Sequence, residues 1–103
     1  MGMNTVFDAL SHPIRRDVLE LLKRGGMTAG DIAERFAVSK PTMSGHFAKL
    51  KSAGLIRGEN RGGHIVYTLN LSTLEEAVMG FMGRMGVTTA DAGSAVPADG
   101  AEA

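Results

Sequence analysis

The sequence predicts a small, mostly α-helical domain with one β-hairpin, in the order α-α-α-α-β-β-α. Three observations carry that prediction. Capping residues followed by apolar positions at helical spacing recur between residues 4 and 85. Two runs rich in β-branched residues flank a glycine-containing turn signal. Beyond Gly86 the composition collapses to Ala, Gly, Ser, Pro, Asp and Thr, which bounds the domain at 4–85 and leaves 86–103 as a disordered acidic tail.

Each element has its own signals. Asn4 is placed to cap a short first helix whose apolar side is Val6, Phe7 and Leu10. Ser11 stands as the cap of the second, with Pro13 in its first turn, where a missing N–H costs nothing. Ile14, Val18, Leu21 and Leu22 follow at helical spacing, and Gly25-Gly26 ends the run. Thr28 and Asp31 make a capping-box-like start to a third helix with Ile32, Ala33 and Phe36 inside. Gly30 costs this helix about 1 kcal/mol relative to Ala, so it is short and depends on packing. Ser39 caps a fourth helix over 39–53, with Pro41 in its first turn and Gly54 closing it. Leu55-Ile56-Arg57 and Ile65-Val66-Tyr67-Thr68-Leu69 read as strands joined by Asn60-Arg61-Gly62-Gly63. Ser72 and Glu75 suggest a capping box for a last helix. Its stripe is Leu71, Leu74, Val78, Phe81, Met82 and Met85.

Composition bounds the function. The 103 residues are 44% hydrophobic and 21% charged, typical of a globular domain, and no apolar run reaches the length of a membrane span. The N-terminus lacks the pattern of a signal peptide, so a cytoplasmic location is expected. The absence of cysteine excludes disulfides, thiolate metal sites and thiol redox sensing. Net charge is zero but unevenly spread: residues 1–85 sum to +3, and Asp91, Asp99 and Glu102 give the tail −3. Within 39–64, Lys40, Lys49, Lys51, Arg57 and Arg61 oppose only Glu59, a local +4. That local charge is what a phosphate backbone senses within a Debye length of about 8–10 Å.

Two helices joined by a tight turn and followed by a glycine-tipped hairpin make a winged helix-turn-helix. On the fourth helix, Met43, Phe47 and Leu50 form the inward face, and the opposite face is read as Lys40, Thr42, Ser44, Gly45, His46 and Lys49. Such residues suit a major groove. Lys and His reach phosphates or guanine, Ser and Thr bond base edges, and Gly permits close approach. Ser39 opens the helix N-terminus, whose free N–H groups favour phosphate. Lys51 and Arg57 are placed to hold flanking backbone, and Arg61 to carry the hairpin tip toward a minor groove. Double-stranded DNA is the expected partner.

At this point the chain resembles the winged helix repressors of the ArsR type. The resemblance covers residues 4–85 and rests on "LSHPIRRDVLELL", the "S-x-P-T-x-S-x-H" core of the reader helix, "L-x-x-A-G-L-I" and "G-x-x-x-Y-x-L". It implies a homodimer, a palindromic operator and repression by occluding a promoter, its own promoter being one candidate. It places Lys40, Thr42, Ser44 and His46 where the family reads DNA, and Arg61 on the wing. Gly45 stands where many members carry a larger polar residue.

The resemblance also raises metal sensing. The arsenic-type site of the family needs cysteines in the third helix, where this chain has "TAGDIAERF". Its zinc-type site needs His and acids at ligand spacing on the last helix, which offers only the adjacent Glu75 and Glu76. His12, His46 and His64 have no second ligand at helical spacing. No metal and no cofactor are therefore expected. Met79, Met82 and Met85 fit dimer packing better than a soft-metal site. The expected dimer interface is Val6, Phe7, Leu10, Leu71, Leu74, Val78, Phe81, Met82 and Met85; the alternative is a winged-helix protein-interaction module, or a repressor sequestered by a regulatory protein partner through the last helix. Arg15-Arg16-Asp17 and Lys23-Arg24 read as a solvated helix face, and His12 as a capping or surface residue. No nucleophile set, phosphate loop or paired carboxylates point to an enzyme.

Overall fold

The computed structural model of the protein describes residues 3–86. In chain order the elements are α1 (Met3–Ala9), α2 (Pro13–Leu21), β1 (Met27–Thr28), α3 (Ala29–Ala33), α4 (Lys40–Ser52), β2 (Ile56–Arg61), β3 (His64–Leu69) and α5 (Leu71–Arg84), with a 3-10 turn over Leu22–Arg24. All five helices and both hairpin strands are present in the expected order, although both strands differ in their bounds from the expected 55–57 and 65–69. The expected acidic tail, from residue 87 on, lies outside the described residues.

The sheet has three antiparallel strands in the order β1-β3-β2. The hairpin register runs from Ile56 opposite Leu69 to Arg61 opposite His64. The turn is therefore only Gly62-Gly63, at φ 59° and 89°, a two-residue loop that needs left-handed backbone at both positions. Asn60 and Arg61, expected in the loop, extend the strand instead. β1 was not foreseen: Met27 and Thr28 pair with Tyr67 and Val66. A two-residue strand has no alternating pattern to read, and β3 alone defines it.

Three caps also differ from expectation. The N-cap of α2 is His12, whose Nδ1 accepts from the Ile14 N–H at 3.1 Å, while Ser11 Oγ donates back to the Asp8 carbonyl at 2.6 Å. Asn4 lies inside α1, which begins at Met3. The Ser72–Glu75 capping box does not form. Asn70 is the N-cap of α5, and its amide donates to the Gly54 carbonyl at 3.0 Å and the Thr73 hydroxyl at 2.9 Å. Asn70 thus spends its side chain tying the start of α5 to the end of α4.

The core joins Val6, Val18, Leu22, Ile32, Met43, Leu50, Leu55 and Tyr67 from α1 through β3, with Ala77 of α5 at its edge. Leu50 and Leu55 are fully buried. Between them the Leu55 N–H donates to the Leu50 carbonyl and the Gly54 N–H to the Lys51 carbonyl, a Schellman closure with Gly54 at φ 76°. The closure stops α4 and turns the chain into the hairpin, so α4 and the wing leave one corner of the domain.

Candidate nucleic-acid interface

α4 is set by its ends and by its buried stripe. Ser39 Oγ accepts from the Thr42 N–H at 3.2 Å, satisfying one free donor of the first turn. Met43, His46, Phe47 and Leu50 face inward, and Phe47 stacks on Tyr67 of β3 with ring centroids 4.7 Å apart. Ser39, Lys40, Thr42, Ser44, Gly45, Lys49, Lys51, Arg57 and Arg61 are all exposed. The small residues Thr42, Ser44 and Gly45 lie in the N-terminal half of α4, and Lys49 and Lys51 in its last turn. A Cβ built on Gly45 meets nothing within 4 Å, so the absence of a side chain there serves no packing need inside the domain.

Two of the cations are engaged. Lys49 Nζ donates to Asp8 Oδ2 of α1 at 3.1 Å, and Arg61 donates to Glu59 Oε1 at 3.1 and 2.8 Å from Nε and Nη2. Both pairs are well exposed, so each is worth about 0–1 kcal/mol and exchanges readily for another anion. Asp8 and Glu59 thereby orient the cations without burying them.

His46 is corrected by the structure. It does not share the exposed face: it is 7% exposed, 31 residues from its partner Arg15 in sequence, with Arg15 Nη1 3.2 Å from its Nδ1. Arg15, expected on a solvated face, is 8% exposed. The signal for His46 was present, since Met43, His46, Phe47 and Leu50 follow the i, i+3, i+4, i+7 pattern of a buried helix face. Its polar character hid it. Burial, then the neighbouring His12 ring and the Arg15 charge, hold its imidazole below the usual histidine range.

The apolar surface of α5 divides in two. Ala77 is buried, Leu74 and Met82 are partly buried, and Phe81 meets Phe7 of α1 edge-on at 5.8 Å. Leu71, Val78, Met79, Phe81 and Met85 stay 37–63% exposed. Val6, expected at an interface between copies, is 2% exposed and belongs to the core of its own chain, and Leu10 packs partly against that core. α1 buries Val6 and Ala9 in its own chain, while Asn4, Thr5 and Asp8 on its other side are exposed and polar.

Among the described residues, no three His, Asp or Glu side chains converge as a metal site, and no helix is long and apolar enough to cross a membrane.

A family model described as a helix-turn-helix domain matches residues 10–59. The transcriptional repressor SdpR of Bacillus subtilis is 50% identical over 76 residues, covering 74% of this chain and 84% of the relative. The arsenical resistance operon repressor of Staphylococcus xylosus is 34% identical over 73 residues, 71% of this chain and 70% of its own length. A crystal structure of an ArsR family transcriptional regulator superposes with a TM-score of 0.74 at 29% identity, over 81% of this chain and 84% of the other. These relatives are regulators of transcription rather than enzymes. Half-identity across three quarters of the chain, together with a capped α4 that offers its polar side to solvent beside a two-stranded wing, means that the chain belongs to the ArsR-type winged helix-turn-helix transcriptional repressors.

Proposed function

We propose that the protein represses transcription as a homodimer on a palindromic operator, each copy laying α4 in a major groove, without a metal effector. The observation that carries this reading is the exposed side of α4, where Thr42, Ser44 and Gly45 sit among Lys40, Lys49 and Lys51. Short side chains and a glycine let a helix approach base edges, and the cations meet phosphate on either side. Arg57 and Arg61 extend the cationic surface along β2 to the wing tip. The Leu71, Val78 and Met85 side of α5 supports self-association, because exposed apolar side chains on one helix favour a covered state. A two-fold axis there would give two reader helices and hence a palindrome. The same surface supports one other reading, a regulatory protein partner seated on α5.

Fluorescence anisotropy tests the proposal. The duplex is the DNA upstream of the gene itself, beside a scrambled duplex, at two salt concentrations, with and without a chelator. Preferential binding that falls steeply with salt and ignores the chelator is expected. A flat salt response, or affinity abolished by the chelator, would contradict it. Size-exclusion with light scattering separates the self-paired dimer from a monomer that awaits another chain.

A further inference from the structure

Groove reading by the exposed side of α4 leaves a buried polar cluster beneath that helix without a role. Arg15 Nε donates to the Ala9 carbonyl at 2.7 Å, and Nη2 donates to the Asp8 carbonyl at 3.2 Å. These are the last two residues of α1. Nη1 of the same guanidinium donates to His46 Nδ1 of α4 at 3.2 Å. The His46 ring lies against His12, centroids 4.5 Å apart, and His12 Nδ1 is itself occupied as the cap of α2. One guanidinium thus joins α1, α2 and α4.

The hydrogen-bond account does not close. Arg has only donors, so His46 Nδ1 must accept and the ring proton sits on Nε2. That Nε2 is buried and has no partner. Stability accounts for part of the arrangement, since the Arg15 donors satisfy the Ala9 and Asp8 carbonyls at the end of α1, but it does not account for His46, whose Nε2–H stays buried and unpaired. What the polar version adds is direction. Hydrogen bonds fix the rotation and height of a helix, whereas apolar packing tolerates sliding. His46 follows Ser44 and Gly45 directly, so the turn held from below is the turn that carries the small residues above.

We propose that Arg15 and His46 are positioning residues for DNA recognition: a buried strut from the end of α1 to the underside of α4 that sets the pose of the reader helix. The inference rests on the reading that α4 enters the groove, and it adds a coupling. α1 packs on α5 through Phe7 and Phe81, so the strut links the helix pair expected at the two-fold to the reader helix. The strut is also acid-sensitive. A proton on Nδ1 turns the acceptor into a donor facing a guanidinium, and the link breaks. The groups around the imidazole are His12, the N-cap of α2, Arg15 of α2 and, from α1, Asp8, whose carboxylate holds Lys49; β2, which also packs on α4, buries only Ile56.

The test uses the full chain and a duplex enriched from a random library by the wild type, with a scrambled duplex as reference. Arg15→Met/His46→Leu replaces the strut by apolar packing. It is expected to melt cooperatively and to bind scrambled DNA with the wild-type salt slope. Its preference for the enriched duplex should fall about tenfold, the cost of misreading about one base pair. His46→Asn, whose Oδ1 replaces Nδ1 as acceptor, should keep most of the preference. It should also lose the acid sensitivity expected of the wild type below about pH 6.5. Wild-type preference in the double variant, or undiminished acid sensitivity in His46→Asn, overturns the proposal. If the double variant does not fold, equal preference in His46→Asn and His46→Leu overturns it instead. A wild type that enriches no duplex overturns the operator reading itself, and the strut with it.

Discussion

Gly45 is a helix-interior glycine with open space where a Cβ would go. Helix propensity therefore favours Gly45→Ala by up to about 1 kcal/mol, and thermal unfolding should show a higher midpoint. If close approach to DNA is what the glycine supplies, the same variant should bind its duplex more weakly while being more stable. An unchanged affinity would remove Gly45 from the proposed interface. His46 makes the second prediction at this scale. Its folded pKa lies below the unfolded value of about 6.5, so the unfolded chain takes up the proton more readily. The stability it contributes is complete above about pH 6.5 and is lost as the pH falls through the folded value. Urea midpoints measured downward from neutrality should decline in the wild type and decline less in His46→Asn; parallel curves would place the acid sensitivity elsewhere. The residue scale is also where the sequence was hardest to read. Arg15 looks like a surface residue in its local window, His46 is hidden by its polar character although its spacing fits the buried face, and only the packing of α2 under α4 brings them together.

At the scale of elements, the hairpin is held by more than its turn. Gly58 faces Tyr67 across the strand pair, and a Cβ there would lie 2.9 Å from the Tyr67 ring and 3.3 Å from Ile65. Tyr67 is buried and stacked on Phe47 of α4, so the ring has nowhere to retreat. Gly58→Val should cost about 1–3 kcal/mol in chemical denaturation and disturb both wing and reader helix. A neutral result would mean that the ring moves freely. Caps and periodicity made α2, α3 and α4 legible from sequence, because each helix carries its own punctuation. The misread caps arose where several polar residues stood near one helix start: at α2 Ser11 bonds back to Asp8 and leaves the cap to His12. At α5 the Asn70 amide ties the helix start to the Gly54 carbonyl, 16 residues away in sequence.

For the whole molecule, the exposed side of α5 is the feature that one chain leaves incomplete. Val78 lies on that side, half out of its own core at 37% exposure. Val78→Glu should leave the fold intact, turn a dimer into a monomer by light scattering, and weaken binding to a two-half-site duplex far more than to a single half-site. A dimer that survives the substitution would move the two-fold axis away from this face of α5. Phe81 is a poorer choice, since it also supports Phe7 within the chain.

The sequence by itself determined the order of helices, the wing, the polar side of α4 and the membership of a repressor family, because caps, glycines and apolar spacing act over a few residues. The resemblance to the family extended those local signals to a function. Only the tertiary structure decided that Val6 is core rather than interface, that β1 exists, that Asp8 and Glu59 hold Lys49 and Arg61, and that Arg15 and His46 meet beneath α4. The reason is that a side chain's burial and partners depend on which elements cross it. No spacing within one helix records that.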